Sequence, residues 1–139
     1  MATTGFGFNV TGADSAFVFD AESGTRDGPN REYDEVTKLN GTAITGTQHA
    51  KEFLPHVIDP GTITAEGYAD PDAAVQPPIS LPVEVLTLTY PLKTGESTAA
   101  KEVGDGFLSG LQWIINVGVL KWRLTWKLSG VWVHTAGSA

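Results

Sequence analysis

The stretch KWRLTWKLSGVW, residues 121–132, decides the fold class. Trp122, Leu124, Trp126 and Leu128 alternate with Lys121, Arg123, Thr125 and Lys127. A period of two belongs to a β-strand with one face in a core and the other outside it. Ser129-Gly130 then interrupts the alternation and predicts a bulge or bend. The outer face carries three cations, although the chain as a whole has a formal net charge of −7.

Working outward, the same period recurs. FLSGLQWIINVG (107–118) places Leu111, Trp113, Ile115 and Val117 on one face, and VEVLTLTYPL (83–92) sets Leu86, Leu88 and Tyr90 against Val85, Thr87 and Thr89. TITAEGY (62–68), SAFVFDA (15–21, with Phe17 and Phe19 on one face) and EYDEVTKL (32–39) read as further strands. Between them, 16 glycines and 8 prolines punctuate the chain at short intervals, as in all-β domains. One segment changes period. In TQHAKEFLPHVIDPG (47–61), Ala50, Phe53, Leu54 and Val57 fall at i, i+3, i+4 and i+7. This predicts a short helix near 47–54, capped by Thr47 and ended by Pro55.

The expected fold is therefore all-β: an antiparallel β-sandwich or partial barrel with one short flanking α-helix, a single domain over 1–139. Its expected core is Phe53, Leu54, Leu86, Leu88, Leu111, Trp113, Trp122, Leu124 and Trp126. ESGTRDGPNRE (22–32) reads as a polar hairpin loop, KTGESTAAKEVGDG (93–106) as a connector, and ADPDAAVQPPISLP (69–82) as a proline-rich excursion. The long loops near 22–31 and 69–82 are expected to contact other subunits, the second stiffened by Pro71, Pro77, Pro78 and Pro82.

At 139 residues the chain can bury a sizeable core without staples, and it has no cysteine to form a disulfide or thiolate site. No signal peptide is read at the start, and the longest apolar run, broken by Gln112 and Asn116, falls short of the ~18 residues of a membrane helix. A soluble chain is expected. Residues 1–80 hold twelve acids and four bases, whereas 81–139 hold four acids and five bases, so unlike surfaces are available to meet. The acidic total argues against gripping nucleic acid or binding anionic membranes.

Catalytic chemistry is not evident. His49, Glu52 and His56 have a ligand-like spacing, but Pro55 interrupts the helix that would align them. Asp70 and Asp72 start like a calcium loop, without the sixth-position glycine or twelfth-position glutamate. GFGF (5–8) lacks the strand–helix context of a phosphate loop. Of the tryptophans, Trp113, Trp122 and Trp126 lie on apolar faces, which leaves Trp132 for an exposed role. No enzyme activity, metal or cofactor is expected.

The segment FLPHVIDPGTIT carries Phe53, Leu54, Pro55, Val57, Asp59 and Gly61 ahead of a strand, and the chain closes with Gly106-Phe107-Leu108-Ser109, a strand, and Ser129-Gly130. Over about residues 47–132 this resembles the tail tube (major tail) proteins of long-tailed bacteriophages. The resemblance implies a β-sandwich whose inner strands join those of neighbours in a hexameric ring. Rings stack into a tube through which DNA passes. The implied place is the virion tail, assembled in the host cytoplasm. The implied partners are further copies of the chain and other tail proteins such as the tape measure and terminator. A tail terminator or head–tail connector ring is the alternative, and a free carbohydrate-binding β-sandwich using Trp132 is the alternative of another class. For the basic row, the expectation is that Lys121, Arg123 and Lys127 meet acids of a neighbouring copy. Glu32, Asp34 and Glu35 are the first choice of partners, and Asp70 and Asp72 are further interface residues.

Overall fold

The computed structural model describes residues 7–35, 43–45, 48–49 and 53–139, and every regular element among them is a β-strand. In chain order these are β1 (Phe8–Gly12), β2 (Val18–Ala21), β3 (Ser23–Asp27), β4 (Asn30–Glu35), β5 (Ala43–Thr45), β6 (Gln48–His49), β7 (Phe53–Asp59), β8 (Thr62–Tyr68), β9 (Glu84–Thr89), β10 (Lys101–Asn116) and β11 (Val119–Thr135). Seven form one antiparallel sheet in the order β2-β1-β9-β10-β11-β8-β3, while β4 pairs with β7 and β5 with β6.

The sheet is organised by the β10–β11 hairpin, whose strands run 16 and 17 residues. Its register pairs Leu108 with Trp126, Leu111 with Leu124 and Trp113 with Trp122. Leu108 and Leu111 are an odd number of residues apart, so a regular strand would turn one of them outward. The register shift between Leu108 and Gly110 inserts the extra residue that keeps both facing the core.

The two ends of the sheet are joined through one residue, Glu22, between β2 and β3, and the Glu22 amide donates to the Glu66 carbonyl on β8. The sheet therefore curls on itself as a sandwich-like partial barrel. Phe17 and Phe19 pack on Trp122, with Phe19 also against Trp126, and Val10, Ile63, Ala65, Leu86, Leu88, Leu108, Leu124 and Leu128 complete the core. Trp126 is 1% exposed.

Four expectations need correction. The segment expected to be helical runs as a strand over 53–59. Pro55 has no N–H to give a helix, Val57 and Ile58 are β-branched, and β4 offers a hydrogen-bonding partner with Tyr33 edge-on to Phe53 at 5.3 Å. Residues 47 and 50–52 of that expected helix lie outside the described residues. Phe53 and Leu54 consequently leave the core: each is more than half exposed, and Trp113 is half-exposed with only its edge against Trp122. Residues 23–27 and 30–32 of the expected polar loop are in strands, because β8 and β7 supply ladders that their own sequence does not advertise. Residues 32–35 of the expected strand 32–39 continue β4, with 36–39 outside the described residues. The connector ends at Lys101, not 106, since Lys101–Gly106 pairs with β9. Between Ala69 and Val83 the chain forms turns without a strand.

Candidate assembly surfaces

A long hairpin needs neighbours on both sides, and this one has them only in part. β9 covers β10 from Lys101 to Gly106, and β8 covers β11 from Lys121 to Lys127. Among the described residues, no strand covers β10 from Phe107 to Asn116, or β11 from Ser129 to Thr135. The two open edges lie on opposite sides of the hairpin and at opposite ends of it. Unpaired edges template pairing with another chain.

The outward face of the same sheet is a polar ladder. Thr25, Thr64 and Thr125 lie abreast, as do Asp27, Thr62 and Lys127, and Ser23, Glu66, Arg123 and Gln112. The basic row is neutralised within the chain: Lys121 Nζ lies 3.2 Å from Glu22 Oε1, Arg123 Nη2 3.0 Å from Glu66 Oε2, and Lys127 Nζ 2.7 Å from Asp59 Oδ1. The hydrogen bond from Lys127, with a second from the Gly61 amide, holds the Asp59 carboxyl below the usual carboxylate range, and the bond to Glu22 raises the Lys121 pKa. The cations find acids on the neighbouring strand β8 (Glu66), on the β2–β3 link (Glu22) and at the end of β7 (Asp59), which the sequence alone did not place.

The acids expected to face that row sit elsewhere. Glu32, Asp34 and Glu35 are exposed on β4, where Asp34 Oδ2 lies 3.1 Å from His56 Nε2. Asp70 and Asp72 are on the loop after β8, the Asp72 amide donating to Asp70 Oδ1 at 3.0 Å in a local turn. Among the described residues, the acids within ion-pair distance of Lys121, Arg123 and Lys127 are Glu22, Glu66 and Asp59. β4 and β7 form an arm of two strands that leaves the body at Gly28-Pro29 and Pro60-Gly61. Tyr33, Phe53, Leu54, Val57 and Ile58 are all exposed on it.

Sequence reading missed a polar cluster at the mouth of the sandwich. Arg26 Nη1 donates to Glu102 Oε2 and to Tyr90 Oη, and His134 Nδ1 lies 3.4 Å from Glu102 Oε1. Burial pushes the Glu102 pKa up, but the Arg26 hydrogen bond and charge, with help from Tyr90 and His134, outweigh it and leave the carboxyl below its ordinary value. Burial raises the Tyr90 pKa. The Arg26 guanidinium stands over Trp132 at 6.0 Å, and Trp132 packs where a side chain at Gly104 would collide with it. Trp132 is thus half-buried and its indole N–H is donated to the Ser129 carbonyl, which removes the exposed platform expected of it. The one signal available was Glu102-x-Gly104-x-Gly106-x-Leu108, whose alternation is hidden because three of its four inward residues are not apolar.

Beside this cluster a cleft of about 350 Å³ opens between β3 and the ends of β1 and β9, lined by Phe8, Gly24, Arg26, Ile63, Tyr90 and Pro91. No group of three or more His, Cys, Asp or Glu able to hold a metal occurs among the described residues. No described helix is long and apolar enough to cross a membrane.

The fold is that of tube and tube-terminator components of tail-like particles. Over 97% of its length the chain matches 92% of a chain from the sheath–tube complex of an extracellular contractile injection system (PVC, extended state), with a TM-score of 0.64 and 11% identity. It also matches the sheath/tube terminator of that system (TM-score 0.59, 13% identity, 98% of both chains). A third match is the tube-terminating cap of the anti-feeding prophage (TM-score 0.62, 13% identity, 98% of this chain and 92% of that one). These are structural components, not enzymes. No protein-family description and no curated protein matches the chain.

Proposed function

We propose that this chain is a structural subunit of a phage-type tail tube, joining copies of itself into a closed ring and stacking rings into a conduit. The observation that carries the reading is the pair of offset open edges on the β10–β11 hairpin. An edge on one side at one end and on the other side at the other end is what a head-to-tail ring closes, since one copy's β10 can then continue the next copy's sheet. The arm supports the same reading: a two-stranded ribbon exposed on both faces is marginal in water and gains by lying on a neighbour. The similarity to solved tube components supports it from the fold.

In this reading the ring is hexameric, the site is the virion tail, and the further partners are the tape measure and terminator. The threonine-rich outward face, with its cations already paired, suits a bore that passes DNA without holding its phosphates. A terminator ring is the second reading, favoured by the end-to-end match to the PVC terminator. Interface roles for Glu32, Asp34, Glu35, Asp70 and Asp72 belong to this proposal, and Lys121, Arg123 and Lys127 orient the contact through the acids that they already hold. Negative-stain microscopy of the purified chain tests the reading. Rings or stacked tubes are expected, whereas a monodisperse monomer that binds carbohydrate overturns it.

A further inference from the structure

The turn of the β10–β11 hairpin keeps the glycine that its backbone needs but exposes apolar side chains around it. Asn116 pairs with Val119, leaving Val117-Gly118 as a two-residue connection in which Gly118 takes φ +78°. Glycine, asparagine and aspartate are the usual turn residues because glycine takes positive φ and the other two bond the turn backbone, and Gly118 fills that role here. Here the apex is Val117, fully exposed, flanked by Ile115 at 75% exposure and by the half-exposed Val119 and Trp113. No charge lies between Trp113 and Leu120. An exposed, uncharged apolar tip of this kind is a candidate contact site.

The tip projects past the body. β8 ends at Tyr68, level with Lys121, and β9 reaches no further along β10 than Gly106. At the other end of the same hairpin, β10 begins level with the end of β9, where Thr89 pairs with Lys101 and Lys101 with Thr135. The cleft lies towards that end, walled by Phe8, Tyr90 and Pro91, with Gly24 on the open edge of β3. Its two charged walls are ion-paired, Glu22 with Lys121 and Arg26 with Glu102, and Tyr90 accepts from Arg26, so it offers a largely apolar, charge-compensated hollow. A volume of about 350 Å³ suits a hairpin apex with two or three aliphatic side chains.

We infer that the Val117 tip of one copy seats in the Phe8–Tyr90–Pro91 cleft of the copy stacked beyond it. The occupant is a second copy of this chain because the uncharged knob and the charge-compensated hole stand at opposite ends of one molecule. A knob and a hole placed so make a heterologous contact that repeats without closing. This deepens the tube reading and rests on it: a repeated ring uses both ends, whereas a terminator uses one. The contact per subunit is small, and a ring presents it several times in parallel, which multiplies its strength.

The chain has no cysteine, so a crosslink can be placed without background. Within one chain the apex and Pro91 are separated by about 30 Å or more of strand, far beyond the ~7 Å reach of a disulfide. The doubly substituted chain Val117→Cys/Pro91→Cys, oxidised with glutathione disulfide, is expected to give a ladder of linked chains on a non-reducing gel. Val117→Cys/Val18→Cys is expected to give none. Rings without the ladder overturn the inference and leave the ring reading standing. A specific ladder from a chain that forms no rings supports the tip-in-cleft contact and removes the ring reading. If Ala2→Cys/Pro91→Cys closes within single chains while Val117→Cys/Pro91→Cys gives no ladder, the cleft belongs to the chain's own first residues and the inference fails. As a second measurement, Val117→Asp at the exposed apex is expected to leave rings intact and abolish their stacking, and undiminished tubes from that variant contradict the inference.

Discussion

The body and the arm of this protein are both antiparallel ribbons of comparable sequence, yet they differ in what covers them. In the body, one face of β8, β9 and β11 is buried residue by residue, so that Ile63, Ala65, Leu86, Leu88, Leu124 and Trp126 see almost no solvent. In the β4–β7 arm, Tyr33, Phe53, Leu54, Val57 and Ile58 supply apolar surface too, yet each is more than half exposed. The difference teaches that apolar content does not locate the core; only partners do. The core of the body is closed within one chain, whereas the arm and the hairpin tip leave apolar side chains exposed, which the proposed assembly would cover with other copies.

The sharpest break of this contrast is in the body. Trp126→Ala removes the most deeply buried aromatic side chain and should cost about 3–5 kcal/mol, read as a fall in the urea midpoint or as failure to fold. Next comes the polar cluster at the mouth. Glu102→Gln leaves Arg26 without its charged partner and should cost about 1–3 kcal/mol in the same measurement. The pH dependence has a definite sign. The folded pKa of Glu102 lies below its ordinary 4.5, so its contribution is fully present above that value and is lost as the pH falls below it. Acid unfolding curves should show this loss in the parent and a flatter acid limb in Glu102→Gln.

In the arm the opposite pattern is expected. Leu54→Asp with Val57→Asp should change the stability of the isolated chain by no more than about 0.5 kcal/mol while preventing assembly, measured by sedimentation. If that pair of substitutions unfolds the monomer, the arm is part of the core and the contrast fails. The smallest effect belongs to the ion ladder. Reversing Arg123 and Lys127 to Glu sets like charges beside Glu66 and Asp59, and each exposed pair is worth only about 0–1 kcal/mol. Assembly of that variant should be impaired most at low salt, where repulsion is least screened.

Much of the body was legible in the sequence because its strands bury one face, and one-faced burial writes itself as alternation. Phe17 and Phe19, Leu86 and Leu88, and the row from Trp122 to Leu128 all declare their inward side. What the sequence hid has a common cause. In Phe53-Leu54-Pro55-His56-Val57-Ile58 both faces carry apolar groups, so no period of two survives and an accidental helical stripe takes its place. In Lys101–Gly106 the inward positions are Glu102, Gly104 and Gly106, chosen to meet Arg26, Trp132 and Leu86 from distant segments. The basic row was visible, but its partners Glu22, Asp59 and Glu66 come from a link and two strands whose placement no local pattern gives.

The central claim is that the open edges of the β10–β11 hairpin are closed by copies of the same chain. Hydrogen exchange of the backbone amides, compared between dilute monomer and assembled material, tests it most directly. The account predicts that those amides of 107–116 and 129–135 that point away from the other hairpin strand exchange fast in the monomer and become protected on assembly, while the amides already bonded between β10 and β11 or between β11 and β8 are protected in both. Edge amides that still exchange fast in the assembled material, with new protection confined to other segments, would contradict it.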